Sequence, residues 1–213
     1  MSEHQSSPTK NQRRRPTQER SKKRYDSILL AAKELIAEKG SAQLKIQDIA
    51  SQAGVTPASI YQYFPSKNAI TLALAQHTFD HAFDSLELNL PKVENIEHAC
   101  LVLQEMIEAY YQVYLSDPAM LDIWVSISAD KSLQALDLED SRRQAELIFS
   151  SIKMFFNESL WDKLYQVSFL LSHMVGSAVR MALQVPVCEG RGLMDSFKGL
   201  LNPASIHSML DAE

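Results

Sequence analysis

From Tyr25 to about residue 210, apolar residues recur at steps of three and four with short Gly or Pro interruptions, and no useful stretch alternates as a half-buried strand does. A chain patterned this way buries its apolar surface by packing amphipathic helices on one another. Tyr25, Ile28, Leu29, Ala32, Leu35 and Ile36 share one stripe of a helix that starts near Glu19 and stops at Lys39-Gly40, with Gly40 as the C′ residue. Ile46, Ile49, Ala50 and Ala53 form the face of a short second helix that Gly54 ends. Thr56-Pro57 then opens a third, because a Thr oxygen accepts an orphan N–H and Pro at the first helical position needs none. That helix closes at about Tyr63, since Pro65 disfavours helical geometry at Phe64, and Ser66 caps a longer one to about Leu88. Beyond the break at Leu90-Pro91, the spacing predicts helices over about 95–115, 118–129, 133–157 and 161–185. Pro186 and a loop holding Gly190 and Gly192 are expected to close the last of these, with a final amphipathic piece over about 193–210.

Composition narrows the function classes. The 213 residues, 46% hydrophobic, suffice for one or two compact domains, and six Gly and eight Pro are too few for a turn-rich all-β architecture. The net charge of −5 points away from nucleic acid only as an average. Residues 1–67 hold twelve basic and six acidic side chains, net +6, leaving nine basic and twenty acidic, net −11, for the rest. The chain is electrically split into a basic head and an acidic body. Cys100 and Cys188 are too few for a disulfide framework, and no Cys/His cluster offers metal ligands, so neither metal nor cofactor is expected. Met1 to Pro16 lacks the apolar core of a secretory signal, and the most apolar stretch, Val167 to Cys188, is interrupted by His173, Arg180 and Gln184. A soluble, cytoplasmic protein without membrane contact is the expectation.

Residues 46–63 read as helix, tight Gly turn, helix, the arrangement that lays its second helix in the DNA major groove. Ala50 is small where the two helices cross, Gly54 permits the turn, and Val55 and Ile60 face the interior. Thr56, Pro57, Ala58, Ser59, Tyr61, Gln62 and Tyr63 are thereby left to the outside. Ala58 suits close approach to base edges and a thymine methyl, and Gln62 carries the donor/acceptor pair that matches adenine. Tyr61 and Tyr63 suit phosphate oxygens, and Lys67 at the next helix start places an ammonium beside N-terminal amides. A helix-Gly-helix pattern alone is as often plain packing; the basic head tips the balance toward DNA. Residues 1–18, with Arg13, Arg14 and Arg15, read as a flexible basic arm, and Arg20, Lys22, Lys23 and Arg24 continue the charge.

Ile49-Ala50, Gly54-Val55-Thr56, Ile60-Tyr61, Tyr63-Phe64 and Ser66-Lys67 together resemble the TetR family of bacterial transcriptional regulators, over residues 21 to about 80. The resemblance implies an all-α homodimer: an N-terminal three-helix helix-turn-helix DNA-binding domain, residues 19–80, and a larger helical ligand-binding and dimerisation domain, residues 81–213. It also implies double-stranded DNA with a palindromic operator as partner, and repression relieved by a small-molecule effector. Thr56, Pro57, Ala58, Tyr61, Gln62, Tyr63 and Lys67 are the DNA-contacting set carried over by position. Two departures stand out: Lys45 occupies the place where the family has a capping Thr or Ser, so it would meet phosphate ionically, and Asn68 replaces a common acidic residue.

In the body, Met106, Tyr110, Tyr114, Trp124, Phe149, Phe169, His173 and Met174 are candidates for the wall of an effector cavity, though any one of them serves equally as core. On the helix from Trp161, Ser168, Ser172 and Gly176 form a small-residue stripe that suits close approach of a partner chain. Catalysis finds no support, for there is no Ser/His/Asp set, metal signature or Gly-rich phosphate loop. The readings that remain are a ligand-released repressor and a DNA-binding protein without a ligand response.

Overall fold

The computed structural model describes residues 19–211, which form ten α-helices and short 3₁₀ turns, with no strand among them. The helices are α1 Glu19–Lys39, α2 Ile46–Gln52, α3 Pro57–Tyr63, α4 Lys67–Asn89, α5 Ile96–Ser116, α6 Pro118–Ala129, α7 Lys131–Ile152, α8 Trp161–Leu183, α9 Val187–Leu200 and α10 Pro203–Asp211. The basic arm expected over 1–18 lies outside the described residues.

Helix starts follow the chemistry of their caps. Thr56 Oγ1 accepts from Ser59 N at 3.2 Å, Ser66 Oγ from Ala69 N at 3.2 Å, and Asn95 Oδ1 from His98 N at 2.7 Å. Between α2 and α3, Gly54 takes φ +64°, a left-handed conformation that closes the turn with Val55 N on Ala50 O at 2.9 Å.

The apolar stripes meet in two clusters. The larger joins Ile28, Ile36, Ile49, Ile60, Phe64 and Ile70 of α1–α4 and the α3–α4 link to Ile107, Trp124, Val179 and Met194 of the body without a gap. The smaller, at the far end, packs Leu86, Leu90, Cys100, Ile148, Leu164, Ile206 and Leu210. The division expected at residue 80 falls inside α4, and the core runs straight across it.

Three boundaries differ from the sequence reading. The helix expected over 133–157 stops at Ile152; a 3₁₀ turn follows, and the indole of Trp161 takes up the Lys153 and Phe156 carbonyls at 3.2 and 3.4 Å. Phe155 and Phe156 instead pack half-buried on the smaller cluster. Gly190 and Gly192 lie inside α9 rather than in a loop, and the break falls at residues 201–202, where Asn202 Oδ1 caps α10 through Ser205 N at 2.9 Å. Gly190 is there for proximity, since a Cβ would drive far inside van der Waals contact with the Ala182 carbonyl of α8. Gly190→Ala should therefore destabilise the fold by about 1–3 kcal/mol, as overpacking against an immovable backbone does. A denaturation midpoint equal to wild type, followed by circular dichroism, would refute that account of the α8–α9 crossing.

Candidate nucleic-acid interface and interior cavity

The helix-turn-helix is held from below. Ile49 and Ala50 of α2, Ile60 of α3 and Phe64 are all buried, and Val55 is half-buried against the same cluster. The outer surface keeps Lys45, Thr56, Pro57, Ala58 and Gln62 exposed, with Tyr61 at 52%. Lys45 precedes α2 without capping it by side chain. Arg20, Lys22, Lys23 and Arg24 are exposed on the first turns of α1, Lys23 pairing with Glu19 at 2.9 Å. Lys39 pairs with Asp48, whose carboxyl that hydrogen bond holds below its ordinary range.

Three predicted contacts are placed differently. Ser59 is turned inward, its hydroxyl buried, because its position on the short helix faces the core next to Ile60. Tyr63 is half-buried, its phenol 3.0 Å from Ser21 Oγ and its ring edge-on to Tyr25, so it ties α3 to α1. Lys67 donates to the Ser41 and Ala42 carbonyls at 3.2 and 3.4 Å, joining the start of α4 to the α1–α2 turn. Asn68, a departure in the sequence, donates to Asp130 Oδ2 at 3.1 Å, between α6 and α7.

Beneath the head lies a cavity of about 540 Å³, walled mainly by α4 to α8 and reaching residues of α9 and α10. Of the predicted wall, Met106, Tyr110, Trp124 and His173 line it. The other four do not. Tyr114 sits behind Tyr110 and accepts its phenol hydrogen bond at 3.0 Å; Phe149 meets Trp161 and Tyr165 edge-on. Phe169 lies under the Arg142 guanidinium at 4.6 Å, and Met174 points outward, 39% exposed.

Ser168, Ser172 and Gly176 are a correction of another kind. They line the cavity instead of an outer face, with both serines buried and Gly176 against the Trp124 indole. Small side chains at this four-residue spacing open room inside the bundle. The outward face of α8 is Leu170, Met174 and Met181.

Sequence reasoning missed the polar part of the wall: His77 and His81 of α4, and Asp137, Asp140, Ser141 and Gln144 of α7. The signal existed, since Leu133, Asp137, Asp140, Ser141, Ile148 and Ile152 follow one helix face, and two carboxylates interrupt its apolar run. Burial pushes Asp140 up to about 6, against Gln144 and Arg143, and raises Asp137 as well. Burial also raises Tyr110 well above the ordinary phenol range and Tyr114 to about 12, so both are neutral phenols. His77 is lowered by burial and by His81 beside it. Among the described residues no His, Cys, Asp and Glu group could hold a metal, and no helix is long and apolar enough to cross a membrane.

A short recognition helix on a basic head, fused to a helical body with an interior cavity, defines a helix-turn-helix protein of the one-component regulator type. Residues 28–74 match the family described as "Bacterial regulatory proteins, tetR family", and residues 97–204 match "Tetracyclin repressor-like, C-terminal domain". The chain belongs to the TetR family of DNA-binding transcriptional regulators. It is similar to the uncharacterized HTH-type transcriptional regulator YvdT of Bacillus subtilis, 41% identical over 64 residues. That match covers 30% of this chain and only 33% of the relative. It is also similar to the HTH-type transcriptional regulator CymR of Pseudomonas putida, 24% identical over 181 residues, 71% of this chain and 86% of CymR. The fold resembles a TetR-family regulator from Streptomyces coelicolor, with TM-score 0.65, 20% identity, and 88% of this chain and 98% of that one covered. It likewise resembles FadR of Bacillus subtilis in complex with stearoyl-CoA, with TM-score 0.64, 20% identity, and 84% and 98% covered.

Because Asp140 carries a folded value above its unfolded one, the stability tied to its protonated form is complete below about pH 3.8 and is lost as pH rises through about 6. Asp140→Asn should therefore be more stable than wild type at neutral pH, on the order of 1–2 kcal/mol, with the difference vanishing in acid. Urea titrations of both proteins across that range measure it.

Proposed function

We propose that this chain is a homodimeric repressor that reads an inverted-repeat operator through α3 of each subunit and leaves it when a small molecule fills the cavity. One observation carries the ligand response: α6 borders both sites. Met120 and Trp124 line the cavity, while on another side of the same helix the Asp122 carboxylate accepts the Ser41 amide and Ser126 Oγ donates to Ser41 Oγ at 3.0 Å. Ser41 lies in the α1–α2 turn that also receives Lys67. A ligand that repositions α6 therefore acts on the turn from which α2 and α3 hang, and shifts the spacing between paired recognition helices. The stearoyl-CoA held by FadR supports a body of this shape as an effector site.

The operator surface in this reading is Lys45, Thr56, Pro57, Ala58, Tyr61 and Gln62 with the exposed first turns of α1, on a reading head of residues 19–80. Residues 1–18 add a basic arm, and residues 81–213 form the sensing and pairing body. Dimerisation uses the outward faces of α8 and α9, where Leu170, Met181, Val187 and Leu200 are each more than half exposed. The protein acts in the cytoplasm by binding and performs no catalysis. A DNA-binding protein with no ligand response would have no use for a cavity of about 540 Å³ next to α6.

Selection from random DNA should enrich an inverted repeat, bound with steep salt dependence. On that repeat, Gln62→Ala should cost about 1–3 kcal/mol and Lys45→Ala should flatten the salt slope by about one unit. Anisotropy titrations equal to wild type for both variants would overturn the assignment of the reading surface. Asp122→Ala should bind the repeat but transmit less of the effector's influence, seen as a smaller ratio of operator affinities without and with effector.

A further inference from the structure

Five hydroxyls around the cavity are spent as donors. Ser141 Oγ donates to the Asp137 carbonyl, Ser168 Oγ to Leu164 O and Ser172 Oγ to Ser168 O, each at 2.8 Å, so these hydroxyls have only lone pairs left to offer, one of which on Ser141 meets His173 Nδ1. Tyr110 gives its proton to Tyr114 at 3.0 Å and Thr78 gives its own to Leu74 O at 3.2 Å. Gln144 Nε2 is committed to Asp140 Oδ2 at 2.5 Å.

The Lys and Arg side chains near the cavity each have a partner. Lys33, the one lysine of the lining among the described residues, is ion-paired with Asp117. Arg143, packed over the Phe83 ring, hydrogen-bonds Asp80 at 3.1 Å and comes only within 3.7 Å of Asp140. Arg180 donates to Ser177 Oγ at 2.7 Å and lies over the face of Trp124, and its charge, like that of His173, partly offsets the burial of Asp137. His173 Nδ1 lies 3.0 Å from Ser141 Oγ and 3.9 Å from Asp137, while His77 and His81 face each other on α4. Asp140, 7% exposed, lines the cavity, and its buried Oδ1 has no hydrogen bond among the described residues. Such an oxygen is stabilised by a donor arriving from outside.

We infer that the cavity takes an apolar amine, its ammonium seated against Asp137 and Asp140 and its hydrocarbon along Met106, Ile107 and Trp124, and that it rejects carboxylates. This rests on the effector reading above and adds the chemical class of ligand. An ammonium brings up to three N–H donors and a positive charge to a wall that offers acceptors and two carboxylates. A carboxylate of the same length meets like charge in a desolvated site, and an alcohol supplies a single neutral donor.

Calorimetric titration of the full chain at neutral pH with octylamine, octanol and octanoate separates these outcomes. Octylamine should bind about tenfold or more tighter than the other two, and Asp140→Asn should remove most of that preference while leaving octanol unchanged. Octanol or octanoate binding as tightly as the amine overturns the inference, as does binding of none of the three. The ranking within the wild-type protein stands without the variant, and Asp137→Asn repeats the test at the neighbouring carboxylate. A second arm adds the amine to the protein on its selected inverted repeat. Tight amine binding without release refutes the effector reading and leaves the cavity assignment intact; release by octanol or octanoate alone does the reverse.

Discussion

The arrangement of the molecule turns on the burial of one indole. Trp124, 2% exposed, is enclosed by Phe79 of α4 at 5.5 Å, Tyr114 of α5 at 6.3 Å, and Gly176 and Arg180 of α8. The guanidinium over its face at 4.5 Å adds a cation–π attraction to the dispersion of the packed rings. Held on three sides, α6 becomes a wedge with the cavity on one side and the head on another. Its position is set by close-packed contacts, and close-packed contacts switch between discrete arrangements more readily than they deform.

The body gives up stability around that wedge. Replacing a filled core by a cavity of about 540 Å³ forgoes dispersion contacts, and burying Asp137 and Asp140 adds a desolvation penalty that Arg143 only partly offsets. Sites that break the rules of core packing in this way are where function is usually kept. The head shows the opposite pattern, with side-chain caps on α3 and α4, a packed apolar core and polar residues outward, as a rigid reading surface requires.

Much of the head was legible because its signals are local. The Thr56 and Ser66 caps, Pro57 at the first helical position, Gly54 at φ +64° and Pro65 after Phe64 each act within a few residues of chain. The inward turn of Ser59 and the tie of Tyr63 to Ser21 were not legible, because they depend on how α3 is rotated against α1. In the body the error ran the other way. Ser168, Ser172 and Gly176 look like a helix-contact stripe in sequence, but small side chains also make space, and only the neighbours reveal which use applies.

The sequence by itself determined an all-helical chain, the placement of its helix-turn-helix, and a charge split of +6 and −11 that directs the head toward DNA. These follow from periodicity, capping and composition, which act along the chain or by summation over it. The tertiary structure decided which residues surround the cavity, that its wall is rich in acceptors, and that α6 connects it to the α1–α2 turn. Those facts rest on contacts such as Ser41 with Asp122 and Gly176 with Trp124, between residues tens of positions apart. Their geometry is set by how helices pack across space, and no local spacing in the chain encodes it.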